Sequence, residues 1–215
     1  MTRGDWSPFD ARTGTCYLPA MVRFIFFCGV AAIWALTAAG CGRATTADAT
    51  DISGVMPPLA FAMMRANDDA PVTATDYRSK TVLLYFGYTH CPDECPTTLA
   101  HVATVLRSLG PAAKNVRVLF VTVDPARDTT ATLRSYVRAF GPEIDGLRGS
   151  PNALAALARR YRVIYAVTHA LSNRPYAVMH SDSLFLFDAS GRARLVLTST
   201  DDAAAVAARI REMNR

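Results

Sequence analysis

Apolar residues cluster along the chain into runs of two periods. Thr81-Val-Leu-Leu-Tyr-Phe-Gly87 and Val116 to Val123 are unbroken apolar stretches rich in β-branched and aromatic residues, the pattern of central strands buried on both faces. Between them Leu99, Val102, Leu106 and Leu109 fall on one helical stripe, Pro96 suits a first turn, and Gly110-Pro111 ends the helix. A second helix is expected from about Thr130 to Phe140, closed by Gly141-Pro142, and a third where Ser150 caps and Pro151 takes the first turn. Arg162 to Val167 reads as a strand. After a polar loop, Ser183 to Asp188 and Ala193 to Thr198 form a hairpin around Asp188-Ala-Ser-Gly191, and Asp201 and Asp202 open an alanine-rich helix. This is the α/β order of a thioredoxin-like fold: a central mixed β-sheet flanked by helices, with an inserted helix and a C-terminal hairpin.

The N-terminal part follows a different logic. Phe24 to Gly40 carries no charge, follows Met21-Val22-Arg23, and ends in Ala38-Ala39-Gly40 directly before Cys41. This resembles a lipoprotein signal peptide, which implies cleavage before Cys41 and lipidation of its sulfur. Residues 1–20 then read as an upstream extension, with translation starting at Met21. An uncleaved anchor is the alternative, and either reading exports the rest of the chain and tethers it to the outer, periplasmic face of a bacterial inner membrane. Residues 41–58, rich in Thr, Ala, Asp and Gly, read as a flexible tether, and residues 59–215 as the folded domain.

Composition narrows the partners. The 215 residues, 51% of them hydrophobic, suit one domain with appendages, and the net charge of +5 is spread over single or paired basic residues. No basic tract points to nucleic acid. Of five cysteines, Cys16 and Cys28 precede the expected cleavage site and Cys41 is the lipid acceptor, which leaves Cys91 and Cys95. A disulfide closing so short a loop adds little chain-entropy stabilisation, so the pair points to function.

The pair lies in Gly87-Tyr-Thr-His-Cys91-Pro-Asp-Glu-Cys95-Pro96, where a strand hands over to a helix. Four residues apart at a helix start, the two sulfurs face one side, in reach of a disulfide or of a shared metal ion. The helix N-terminus favours thiolates, an effect that Asp93 and Glu94 oppose. Two thiolates suit Cu(I), whereas Cu(II) also requires an imidazole. His90 and His101 read equally as packed or solvated side chains. His169 and His180 lie in the loop before the hairpin, and His180 is the better placed to complete a site, against the alternative of a structural histidine.

Three separated motifs carry a resemblance: Gly87-Tyr88-Thr89 with Cys91-Pro92-Asp93-x-Cys95-Pro96; Val121-Thr122-Val123-Asp124-Pro125-x-Arg127-Asp128-Thr129; and His180-Ser181 before the hairpin. Together they resemble the SCO/SenC family of copper chaperones from about Leu59 to the C-terminus. The resemblance implies a copper site made of Cys91, Cys95 and His180, holding Cu(I) or Cu(II). It also implies delivery to the dinuclear copper centre of cytochrome c oxidase, with a thiol reductant or an upstream copper donor as further partners. Two stretches depart from the family pattern: Leu59-Ala-Phe-Ala-Met-Met-Arg65, and Tyr176-Ala-Val-Met179, where an acidic residue usually precedes the histidine.

The Asp124 to Thr129 loop reads either as a docking surface or as structure, with Asp128 or Thr129 capping the next helix and Arg127 paired to an acid; the structural reading is preferred. Met56, Met63 and Met64 read as core filler rather than soft ligands. The rival function is an exported thiol-disulfide oxidoreductase attacking through Cys91. Against it stand the three-residue spacing and Asp182 at the position where such enzymes carry proline. A peroxidase using Thr89 and Arg127 fits the paired cysteines poorly, and copper or redox sensing would use the same three ligands.

Overall fold

The two apolar runs become the centre of a mixed sheet. A computed structural model describes residues 49–168 and 176–214, which belong to the unit Thr45–Arg215. The expected signal segment, Cys41 and His169 lie outside the described residues. Strand β4 (Thr81–Gly87) is buried along its whole length and pairs in parallel with β5 (Val116–Thr122), which pairs in parallel with β6 (Ile144–Arg148). On the other side β4 meets β9 (Leu184–Phe187) antiparallel, followed by β10 (Ala193–Leu197) and the short β1 (Thr50–Asp51). Beyond β6 lie β2 (Ala62–Arg65) and β3 (Ala70–Thr73), giving eight strands in the order β1-β10-β9-β4-β5-β6-β2-β3. Helix α1 (Glu94–Leu109) crosses from β4 to β5 and packs beside α4 (Ala203–Met213), while α2 (Thr130–Arg138) lies against β6 and α3 (Pro151–Arg160) follows that strand.

The helix ends obey the predicted chemistry. Backbone N–H groups of Thr132, Ala153 and Ala205 donate to the side chains of Thr129, Ser150 and Asp202, satisfying donors that a helix start leaves unpaired. Leu99, Val102, Leu106 and Leu109 are all buried, and Gly191 takes a φ of 78° in the hairpin turn. Among the described residues no helix is long and apolar enough to cross a membrane.

The structure differs from the expectation in three places. Arg162 to Val167 is not one strand: Arg162 takes a left-handed φ of 56° just past α3, and only β7 (Tyr165–Val167) is extended. It pairs with β8 (Val178–His180) in a separate two-stranded sheet, not with the main sheet. Strand β6 was not expected, because Ile-Asp-Gly-Leu-Arg contains two poor strand formers. Its Gly146 lets α2 approach, since a Cβ there would lie 2.6 Å from Leu133 Cγ, and its Asp145 accepts a 2.9 Å hydrogen bond from Tyr77. Lastly, the sheet takes up part of the stretch read as tether: Thr50 and Asp51 pair with β10, and Ile52 is buried.

Candidate metal centre

The β4-to-α1 junction is built around a buried carboxylate. Asp128, fully excluded from solvent, accepts hydrogen bonds from Thr89 N (3.0 Å), Thr89 Oγ1 (2.6 Å) and Thr122 Oγ1 (2.6 Å). One side chain thereby ties the cysteine loop to the end of β5. Thr129, not Asp128, caps α2, so the structural reading of this loop holds for Thr129, and Asp128 has a different structural task.

Helix α1 starts at Glu94, placing Cys95 in its first turn. The Asp93 side chain makes no capping bond, and the Cys95 N–H donates instead to Cys91 Sγ at 3.3 Å. Cys91 is half-buried and Cys95 buried, both as free thiols. Burial pushes the Cys95 thiol well above its ordinary range, with the neighbouring Cys91 adding to the effect. For Cys95 this acts against the thiolate that the helix start was expected to favour.

Gly87 makes room for that sulfur. A Cβ at this position would stand 2.9 Å from Cys95 Sγ and 2.6 Å from Phe120 Cε2. A glycine ending an apolar strand is the signal that marks such a close approach.

His180 ends β8 and reaches the pair from across the fold. Its Nε2 lies 3.2 Å from Cys95 Sγ, and its Nδ1 lies 2.9 Å from the Ser181 carbonyl oxygen. With Nδ1 as the donor in that bond, the Nε2 lone pair is turned toward the sulfurs. The backbone carbonyl thus does the orienting for which the sequence, with Met179 before the histidine, offers no carboxylate. Tyr85 and Tyr88 fix the ring edge-on, at centroid distances of 6.0 and 5.8 Å.

The segment leading into β8 is clamped by the second motif. Arg127 pairs with Asp124, donates from Nη1 to the Tyr176 carbonyl at 3.1 Å, and stacks on the Tyr176 ring at 3.8 Å. The Tyr176 hydroxyl in turn donates to Asp124 at 2.8 Å. Tyr176 and Ser181, missed as supports in the sequence, gain these roles only through contacts far along the chain.

The donor atoms of Cys91, Cys95 and His180 lie within 4.8 Å of one another, the only such trio of His, Cys, Asp or Glu side chains among the described residues. One ion at about 2.0–2.3 Å from each sulfur and nitrogen donor sets the donors about 3.3–4.0 Å apart, so the trio needs only a small inward shift to close on one ion. Two sulfurs and an imidazole suit a soft or borderline ion such as copper. His90 stands half-exposed, 3.5 Å from Asp128, and His101 lies on α1; neither joins the trio. Met63 is buried and Met56 packs on the core, as core filler does, while Met64 is partly exposed.

Comparisons with known proteins agree on one family. A sequence model described as SCO1/SenC matches residues 59–215. A stretch of 118 residues is 43% identical to the mitochondrial SCO2 homolog of Bos taurus, covering 54% of this chain and 44% of the relative; the chain thus spans less than half the length of that relative. The solved Bradyrhizobium japonicum ScoI with copper bound is 33% identical at a TM-score of 0.67, covering 73% of this chain and 98% of that one. Yeast Sco1 with copper bound is 29% identical at a TM-score of 0.65, covering 73% and 88%.

Proposed function

The chain belongs to the SCO1/SenC family, and from that premise we propose that it is a copper-binding metallochaperone. In this reading it holds one copper ion through Cys91, Cys95 and His180 and hands it to the dinuclear copper centre of a cytochrome c oxidase during assembly. The observation that carries the reading is the convergence of the three donors, drawn from two distant parts of the chain, with the imidazole nitrogen turned toward the sulfurs. The copper-bound relatives support the choice of ion.

Copper leaves by ligand exchange, with no covalent bond to the acceptor and no net electron transfer. An acceptor thiolate enters beside half-buried Cys91, the accessible sulfur, and buried Cys95 lets go last. Export, with a lipid on Cys41 or an uncleaved anchor, keeps the domain within reach of a membrane-bound acceptor and raises its effective concentration. A thiol reductant keeps the pair reduced between cycles, and an upstream donor loads it.

One observation favours a second reading. The pair is free, with Cys91 half-buried and Cys95 buried, an asymmetry that suits an exported thiol-disulfide oxidoreductase, in which one thiol attacks and the other resolves. Anaerobic copper titration of the reduced chain separates the two, comparing wild type, His180→Ala and the double Cys91→Ser, Cys95→Ser variant. The chaperone reading expects one tightly held equivalent, lost without the cysteines and weakened or spectrally altered without His180. Weak binding indifferent to His180, together with ready reduction of a test disulfide, would reject it in favour of the oxidoreductase.

A further inference from the structure

Tyr85 lies in the middle of β4 with no solvent exposure, and its hydroxyl has no hydrogen-bond partner among the described residues. Burying an unpaired hydroxyl is unfavourable, and phenylalanine in the same space would avoid that cost. The position therefore calls for a partner that arrives with function.

Three observations locate that partner. Strand alternation puts Tyr85 on the same face as Gly87, and that face abuts the Cys95 sulfur, 2.9 Å from where a Gly87 Cβ would stand. The Tyr85 ring meets the His180 ring edge-on at 76°, and His180 Nε2 is itself 3.2 Å from Cys95 Sγ. The polar side chains that α1 buries on its first two turns are the Cys95 thiol and the Thr98 hydroxyl.

We propose that the Tyr85 hydroxyl donates a hydrogen bond to the Cys95 sulfur when that sulfur ligates the metal ion, and so sets its strength as a ligand. A neutral thiol accepts hydrogen bonds weakly, whereas a thiolate accepts them strongly, so the donor finds its partner in the liganding form. Tyr85 acts through Cys95 as a positioning residue and never meets the cargo. The inference rests on the metal reading above, because without a liganding thiolate the donor has nothing to serve.

The test uses the full chain in detergent as wild type, Tyr85→Phe and Cys95→Ser. It measures Cu(I) affinity by competition with a chelator, the thiolate-to-Cu(II) absorption band, and thermal melting of the copper-free protein. Losing a hydrogen bond to a charged acceptor weakens Cu(I) binding about tenfold or more. The band moves to longer wavelength, because the sulfur lone pairs rise in energy, while the melting temperature stays level or rises as an unpaired hydroxyl disappears. Unchanged affinity and band in Tyr85→Phe overturn the proposal and leave the metal reading intact. A fall in melting temperature alongside weaker binding also overturns it, since the hydroxyl is then structural. If wild type binds no better than Cys95→Ser, the metal reading fails and the proposal falls with it.

Discussion

Replacing Gly87 by alanine sets two effects of opposite sign against each other. Gly87 is not among the glycines with positive φ, so alanine meets no backbone strain, and removing glycine from a strand ordinarily stabilises by about 0.5–1 kcal/mol. The new Cβ would lie 2.6 and 2.9 Å from two ring carbons of Phe120 and 2.9 Å from Cys95 Sγ. Optimal contact is at roughly 3.5–4.0 Å. Neither neighbour has room to yield: Phe120 and Cys95 have no solvent exposure, and Phe120 is wedged between the rings of Tyr85 and Tyr136 at 5.9 and 5.5 Å. Overpacking a filled core costs about 1–3 kcal/mol, so it outweighs the backbone gain and leaves a net loss of about 1–2 kcal/mol. For a domain of this size that lowers the melting temperature by about 2–8 °C. Relief of the clash pushes Cys95 Sγ away from its place beside His180, so Cu(I) affinity falls about tenfold or more as well, the scale of second-shell losses at metal sites. Differential scanning calorimetry of the copper-free protein and chelator competition read the two effects. A Gly87→Ala protein that melts at or above wild type and binds Cu(I) equally well would refute the packing argument.

Further substitutions probe two buried carboxylates. Asp128→Ala leaves the buried Thr122 donor and the part-buried Thr89 donors without an acceptor and is expected to cost about 2–3 kcal/mol in urea unfolding; Asp128→Asn keeps one acceptor oxygen and recovers part of it, and a loss below about 1 kcal/mol for the alanine variant would contradict the assigned role. Burial raises the Asp145 carboxyl above its ordinary range. Its charged form is therefore disfavoured in the folded state, a penalty present above the folded pKa and relieved as pH falls through it. Asp145→Asn, which still accepts from Tyr77, should thus melt higher than wild type near pH 7, with the advantage shrinking as the pH drops into the carboxylate range. An advantage that stays constant from neutral to acid in a series of melts would show that the charge is not the cause.

Much of the frame was legible because it is written in local chemistry. Seven consecutive apolar or β-forming residues announce β4, the 3.6-residue stripe announces α1, and Ser150 announces a helix start by its side-chain oxygen, as the pairs Asp128-Thr129 and Asp201-Asp202 do without saying which member caps. Strand β6 was not legible, since Asp145 and Gly146 suit a strand only because Tyr77 supplies a hydrogen bond and α2 needs the space above a glycine. A strand was legible over Arg162 to Val167, of which β7 is the last part, but β8 gave no signal, because a three-residue strand is defined by its partner.

For the site, the sequence by itself determined the chemistry: two cysteines four positions apart at a helix start, a histidine in the segment before the hairpin, and motifs specific enough to indicate the family. The motifs already pointed to His180, but how its ring is oriented and which thiol is buried were decided by the tertiary structure alone. Cys95 and His180 are separated by 85 positions in the chain and by 3.2 Å in space. Local sequence carries propensity and period, whereas a ligand set and its hydration depend on contacts between distant segments, which exist only once the sheet has brought β4, the Asp124 to Thr129 loop and β8 together.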